Sequence, residues 1–294
     1  MLNTEAPSTL HVDLDLYSTQ DLIRALIDDQ AHAVEAAQAS AQSLAQAVDA
    51  AVPRMLAGGR LLYAGAGTSG RLGVLDSVEL YPTFSWPRER AVGLIAGGAS
   101  AMFVAVEGAE DDEAQGAADV LHVGVSSKDV VLLLAASGAT PYVLGALRAA
   151  KSVGALTVGF ANNPEAPVTQ ASDLGITLNT GSELISGSTR LKAGTAQKIA
   201  LNTFSSALMV RLNKVYGNLM VDLKATNAKL VRRAVALTMR AAQCDEATAL
   251  SVLAQCDHHV KVAVVAIRRG LDVEAARALL EDVGGSVRRA LGAA

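Results

Sequence analysis

Five short apolar runs, at 60–64, 91–96, 130–136, 155–160 and 174–178, punctuate the first two thirds of the chain, and amphipathic stretches long enough for helices separate them. Strands that are apolar throughout, rather than at alternate positions, belong to parallel sheets covered on both faces, and parallel neighbours need crossover connections. The pattern predicts a three-layer α/β domain. Ahead of the first run, 19–58 is Ala-rich with Leu22, Ile23, Leu26, Ile27, Leu44, Ala47, Val48, Val52 and Met55 at helical spacing. One or two helices are expected there, capped by Ser18 or Thr19 and stopped at Gly58-Gly59. After the last run, 188–215 reads as helix and breaks at Tyr216-Gly217-Asn218. Only helical segments follow, at 227–242, 246–255, 258–269, 273–281 and 283–291. The expected organisation is an N-terminal helical segment 1–58, a central domain 59–224 and a small helical domain 225–294.

Composition narrows the partners. With 25 Lys+Arg against 29 Asp+Glu the formal charge is −4, which gives nucleic acid no basic surplus to bind. Hydrophobic residues make up 51% and mean hydropathy is +0.30, but the excess is largely alanine. No window approaches the roughly 18–20 uninterrupted apolar residues of a membrane span, and 260–267 is closed by Arg268 and Arg269. Asp13 and Asp15 stand where a signal peptide would be apolar. A cytoplasmic protein without membrane or nucleic-acid partners is expected, its two cysteines, Cys244 and Cys256, reduced. No metal site is expected: His258 and His259 follow Cys256, but adjacent helical residues point apart, and a buried thiol beside exposed histidines is the plainer reading.

The sharpest motif is Leu61-Leu62-Tyr63-Ala64-Gly65-Ala66-Gly67-Thr68-Ser69-Gly70-Arg71, read as a strand, a glycine turn and a helix starting near Ser69. It matches the dinucleotide fingerprint, yet the next strand runs into Gly97-Gly98-Ala99-Ser100 without the carboxylate a ribose needs. Thr68 and Ser69 beside free amides at a helix N-terminus suit a single phosphate instead. Ser137-Gly138-Ala139-Thr140-Pro141 repeats the logic after the third run, and Ser186-Gly187-Ser188-Thr189 opens a helix carrying Arg190, Lys192 and Lys198. Each loop alone would also serve as a plain helix cap. Among carboxylates, Glu107 and Glu110 lie in a charged helix start, whereas Glu79 stands among apolar residues in Leu75-Asp76-Ser77-Val78-Glu79-Leu80-Tyr81-Pro82, where Pro82 is expected to end the helix.

These blocks together, 65–79, 96–98, 105–112, 136–143, 186–198 and 214–227, resemble the N-acetylmuramic acid 6-phosphate etherases, lyases of the sugar-isomerase (SIS) type. The resemblance runs from about residue 14 to past 230 and is looser in the C-terminal helices. It implies a five-stranded parallel SIS sheet between helices and a small C-terminal helical domain resembling ubiquitin-associated (UBA-like) modules. It also implies loss of D-lactate from carbon 3 of N-acetylmuramic acid 6-phosphate and addition of water, a step in recycling cell-wall amino sugars that needs no cofactor. By the same resemblance Glu79 is the proton donor to the leaving lactate and Glu110 the second essential glutamate, assigned here as base at carbon 2. Substrate-binding positions are then Thr68, Ser69, Ser137, Gly138, Thr140, Ser188 and Lys192. Glu79 must keep a proton at neutral pH, although free Glu titrates at about 4.3, and its apolar neighbours are expected to desolvate it.

Three departures from the family pattern stand out: Ala139 in place of arginine, Tyr81 in place of proline, and Asn162-Asn163 in place of Cys-Asn. Arg71, Arg190 or Lys192 is a candidate replacement for the lost cation. A non-catalytic sugar-phosphate sensor and a sugar-phosphate isomerase of the same fold are the alternative readings, but neither needs both glutamates. Because Glu79 lies ten residues beyond Ser69, about 15 Å along a helix, a homodimer with composite active sites is expected.

Overall fold

The computed structural model describes residues 2–223 and 228–292, so the expected domain border at 224/225 and helix start at 227 lie outside the described residues. The chain forms two compact units, one of Met1–Val78 with Glu89–Ser205 and the other of Glu79–Arg88 with Ser206–Ala294.

The first unit begins with a short 3-10 turn, Asn3–Glu5, and three helices: α1 (Thr19–Asp29), α2 (Ala31–Ala39) and α3 (Ala41–Leu56). Ser18 caps α1 by accepting the Asp21 N–H at 3.2 Å. The one or two helices expected here are three, broken at Gln30 and Ser40, neither of them a glycine or proline. Then come β1 (Leu61–Gly65), α4 (Gly67–Phe84), β2 (Ala91–Ile95), α5 (Glu113–His122), β3 (Val130–Leu134), α6 (Pro141–Ser152), β4 (Leu156–Ala161), α7 (Pro167–Ala171), β5 (Leu174–Thr177) and α8 (Lys192–Arg211). All five expected strands form, in one parallel sheet ordered β2-β1-β3-β4-β5.

Every residue of β1, β3 and β4 is buried, which requires cover on both faces. Leu62, Ala64, Val131 and Leu133 share a core with Tyr142, Val143 and Ala146 of α6. The alternate residues Tyr63 and Leu134 meet α4, whose Gly73 leaves no room for a Cβ against them. These are the three layers. At the amino ends of the central strands Asp129, almost fully buried, accepts hydrogen bonds from the Arg60 amide and guanidinium, both at 2.8 Å, and from the Ser126 amide at 2.9 Å.

In the second unit, α9 (Ala228–Ala242), α10 (Glu246–Gln255), α11 (Val260–Arg269), α12 (Val273–Asp282) and α13 (Val287–Ala290) enclose a core of Val221, Ala234, Leu253, Cys256, Val260, Val264, Ala276, Leu280 and Val287. Asp245 and Asp272 cap α10 and α12 through the Thr248 and Ala275 amides, each at 2.8 Å. Lys261 bonds Asp222 at 2.7 Å within this unit, and the Ser85 hydroxyl donates to the Asp222 carbonyl at 2.5 Å. Pro82 does not end α4. It sits in the last turn, and the helix stops two residues later ahead of Ser85 at φ 48°. No single helix among the described residues is long and apolar enough to cross a membrane.

Candidate active site

From β1 the chain crosses to β2 on one side and then returns to β3 on the other, so the carboxyl ends of β1 and β3 flank the crevice where an open α/β sheet receives ligands. The loop after β1 turns at once into α4. A Cβ on Gly65 would meet the Gly70 nitrogen at 2.8 Å, and one on Gly70 the Gly65 carbonyl oxygen at 2.7 Å. The glycine spacing therefore serves the contact of helix with strand. The first helical hydrogen bond runs from Gly70 N–H to the Ala66 carbonyl at 3.0 Å. The amides of Gly67, Thr68 and Ser69 thus have no helical acceptor, and α4 starts at Gly67, two residues ahead of expectation.

The loop after β3 is shaped by Gly138 at φ 74°, where a Cβ would come 2.3 Å from that of Ala166. Its amide donates to the Ala135 carbonyl at 3.0 Å and its own carbonyl accepts the Val168 amide at 2.9 Å. Ser137 Oγ accepts the Ala139 amide at 3.2 Å. Thr140 precedes Pro141 at the head of α6, and its hydroxyl makes no cap bond.

Between the two loops lies a cleft of about 400 Å³, lined by Thr68, Ser69, Ser137 and Thr140 together with Glu110, Asp111, Glu5, Ala139 and Thr189. A second cleft of about 210 Å³ shares Ala66, Gly67 and Glu110 with it and adds Arg71 and Glu107. Glu110 is exposed on a 3-10 turn, Ala109–Asp111, entered through Gly108 at φ 71°. The helix start expected around it comes only after this turn, at Glu113.

The structure thus brings together five of the expected positions and sets others aside. Gly138 shapes the loop without lining the cleft. Ser188 is likewise not a lining residue, and α8 begins at Lys192 rather than at 188, its opening amides, those of Lys192 and Ala193, donating to the buried Glu183 carboxylate at 3.2 and 3.0 Å. Its neighbour Thr189 lines the cleft instead. Burial pushes the Glu183 carboxyl above its ordinary value against the opposing pull of those amides and Lys192. Lys192 is 4% exposed and its ammonium is bonded to Asp29 at 2.6 Å, so its charge is spent on holding α8 to the end of α1. Glu79 is exposed, and Leu75 and Val78 turn outward near it at 44% and 64% exposure. The expectation that its own neighbours desolvate it fails: the apolar side chains share its outward position rather than covering it.

Residues 43–151 match the model of the glucokinase regulatory protein N-terminal SIS domain. Among solved structures, the phosphoheptose isomerase of Francisella tularensis superposes with a TM-score of 0.51 at 19% identity over 65% of this chain and 98% of that one. That of Neisseria gonorrhoeae gives 0.51 at 13% identity with the same coverages. Both share the fold. In sequence, the N-acetylmuramic acid 6-phosphate etherase of Deinococcus radiodurans is 58% identical over 98% of this chain and 95% of its own length. The chain belongs to the N-acetylmuramic acid 6-phosphate etherase family. Etherases of Edwardsiella ictaluri, 46% identical over 98% of this chain and 96% of theirs, and of Aliivibrio fischeri, 44% over 99% and 97%, align along its length as well.

In this member of the etherase family Asn162 is wholly buried, donating to the Leu178 and Ala193 carbonyls at 3.1 and 3.2 Å, while Asn163 anchors the amino-terminal turn. Its amide nitrogen donates to Thr4 Oγ1 at 3.0 Å and to the Ala136 carbonyl at 2.9 Å. That anchor brings Glu5 to the cleft. No local motif marks Glu5, since the partner that places it is 159 residues away from Thr4.

Proposed function

We propose that this chain is a carbon–oxygen lyase that cleaves the D-lactyl ether of N-acetylmuramic acid 6-phosphate by elimination and water addition, releasing D-lactate and N-acetylglucosamine 6-phosphate. The observation that carries this reading is the convergence of Glu110 with two amide- and hydroxyl-bearing loops on one cleft, in a chain whose full-length relatives are etherases.

The 6-phosphate is held by the Thr68 and Ser69 amides and by the hydroxyls of Ser137 and Thr140, at the positive end of α4. In the open-chain aldehyde the carbonyl acidifies the hydrogen on carbon 2, and Glu110 removes it. An alkoxide leaves poorly, so Glu79 protonates the departing lactyl oxygen and afterwards takes a proton from the incoming water. Each of these acid or base steps contributes about 10²- to 10⁴-fold. Two carboxyl groups in opposite protonation states meet the demands of the reaction.

Glu79 stands about 15 Å along α4 from Ser69 by helical rise, longer than a hexose phosphate bridges comfortably. We therefore assign Glu79 to the phosphate site of a second copy of the chain in a homodimer. Two observations support this: Glu79 is exposed among outward-facing apolar side chains, and α1 exposes Ile23 and Ile27 at 51% and 65%. A covering subunit would shield Glu79 from solvent. The reaction is placed in the cytoplasm, where both free cysteines stay reduced.

The test is D-lactate release from N-acetylmuramic acid 6-phosphate beside the unphosphorylated sugar. Release that depends on the phosphate is expected, and no release from the phosphorylated sugar overturns the reading.

A further inference from the structure

The substrate of the proposed reaction carries two anions, the phosphate on carbon 6 and the lactyl carboxylate on carbon 3, at opposite ends of the reacting region. The structure carries two clefts that meet at Ala66, Gly67 and Glu110. The larger one holds the phosphate loops, and among the described residues the charged side chains that line it are the carboxylates of Glu5, Glu110 and Asp111, with no lysine, arginine or histidine. Arg71 lines the smaller one and is, among the described residues, the only cation lining either. It is half-buried, and among the described residues its guanidinium has neither an ion-pair nor a hydrogen-bond partner. An arginine that stays unpaired although Glu107 and Glu110 line the same cleft is open to an incoming carboxylate, whose two oxygens match its planar donor fork. The remaining wall is Ala96, Ala101, Ala105, Val106 and Ala109, a surface fit for a methyl group.

We propose that this smaller cleft is the lactyl subsite, with Arg71 binding the carboxylate of the lactyl group and the small apolar wall taking its methyl; the inference rests on the etherase reading above. A sugar phosphate lying across both clefts then has carbon 6 in the larger, carbon 3 in the smaller, and carbon 2 at their junction. That junction is where Glu110 sits as base. Arg71 thereby acts as the specificity residue that distinguishes a lactyl ether with a free carboxylate from one whose carboxylate is capped.

The experiment compares the parent and Arg71→Gln on N-acetylmuramic acid 6-phosphate and on its carboxamide, in which the lactyl carboxylate is neutral. Gln keeps the helix propensity of this position. The substitution should raise KM for the acid about ten- to a hundredfold, the range of a charge-assisted hydrogen bond, and change that for the carboxamide less than about twofold. Arg71→Lys should fall between. Binding of N-acetylglucosamine 6-phosphate, which lacks the lactyl group, should be equal in parent and variant and reports an intact fold. Equal losses on acid and carboxamide, or an unchanged KM for the acid, overturn the subsite. If the parent releases no lactate, the etherase reading fails by itself. The subsite is then read by calorimetry: tighter binding of acid than carboxamide in the parent, abolished by Arg71→Gln, sustains it, and no difference overturns it.

Discussion

Replacing Gly138 by alanine adds one methyl group beneath the proposed phosphate loop, and two penalties follow from its position. At φ 74° an L side chain costs about 1–2 kcal/mol. The new Cβ would also stand 2.3 Å from Ala166 Cβ and 3.0 Å from Ala161 Cβ, and both neighbours are fully packed. Overfilling of this kind costs about 1–3 kcal/mol, for a sum of about 2–5 kcal/mol. Gly58 is the control, since it has φ 86° with nothing within 4 Å of an added Cβ and carries only the first penalty. Native-state hydrogen exchange of the β3 and β4 amides reads the local cost without assuming that the two units unfold together. Gly138→Ala should lower protection there by about 1–3 kcal/mol more than Gly58→Ala and raise KM for the phosphorylated sugar, because Ser137 and Thr140 flank the shifted residue. Equal losses in the two variants, or an unchanged KM, would refute the argument.

Ser137→Ala combined with Thr140→Val should raise KM for the 6-phosphate substrate with the fold intact by circular dichroism; in the parent, equal affinity for phosphorylated and unphosphorylated sugar would contradict the assignment. Burial alone would raise the Asp129 carboxyl, but bonds from Arg60 and Ser126 outweigh it and hold it below its ordinary value, and Thr157 and Lys151 do the same for Asp173. Depressed folded values stabilise above the unfolded value near about 3.9 and lose that stabilisation as pH falls through the folded value, so the denaturation midpoint should drop below about pH 4. An acid limb unchanged in Asp129→Asn with Asp173→Asn would rule these groups out. Mixing inactive Glu79→Ala with the phosphate-loop double variant, at a substrate concentration where that variant alone is silent, should restore up to about one working site per mixed dimer; no recovery despite proven subunit exchange would place Glu79 in its own subunit's site.

The sheet was legible because hydrophobic burial on both faces leaves an unbroken apolar run at every strand. The two glycine-hydroxyl loops were legible because a turn that touches a helix demands specific residues. What the chain hid is set by distant partners. The break between α1 and α2 falls on Gln30, an ordinary helix former. The start of α8 is decided by Glu183, nine residues upstream of the Lys192 amide it accepts. Glu5 reaches the cleft through a contact of Thr4 with Asn163, and Lys192, read as a phosphate ligand, is claimed by Asp29. The exposure of Glu79 shows the limit most clearly: an apolar neighbourhood in sequence does not bury a residue unless the helix turns that face inward.

Exchange of the carbon 2 hydrogen with solvent, followed in deuterated water beside D-lactate release, tests the division of labour between the two glutamates most directly. Glu79→Ala should continue to exchange that hydrogen while releasing no lactate, since the base is intact and only the leaving group lacks its proton. Glu110→Gln should lose both exchange and release while still binding the sugar phosphate, because the amide keeps the shape of the carboxylate but accepts no proton from carbon 2. Lactate release at the parent rate from Glu79→Ala, or exchange at the parent rate in Glu110→Gln, would contradict the account.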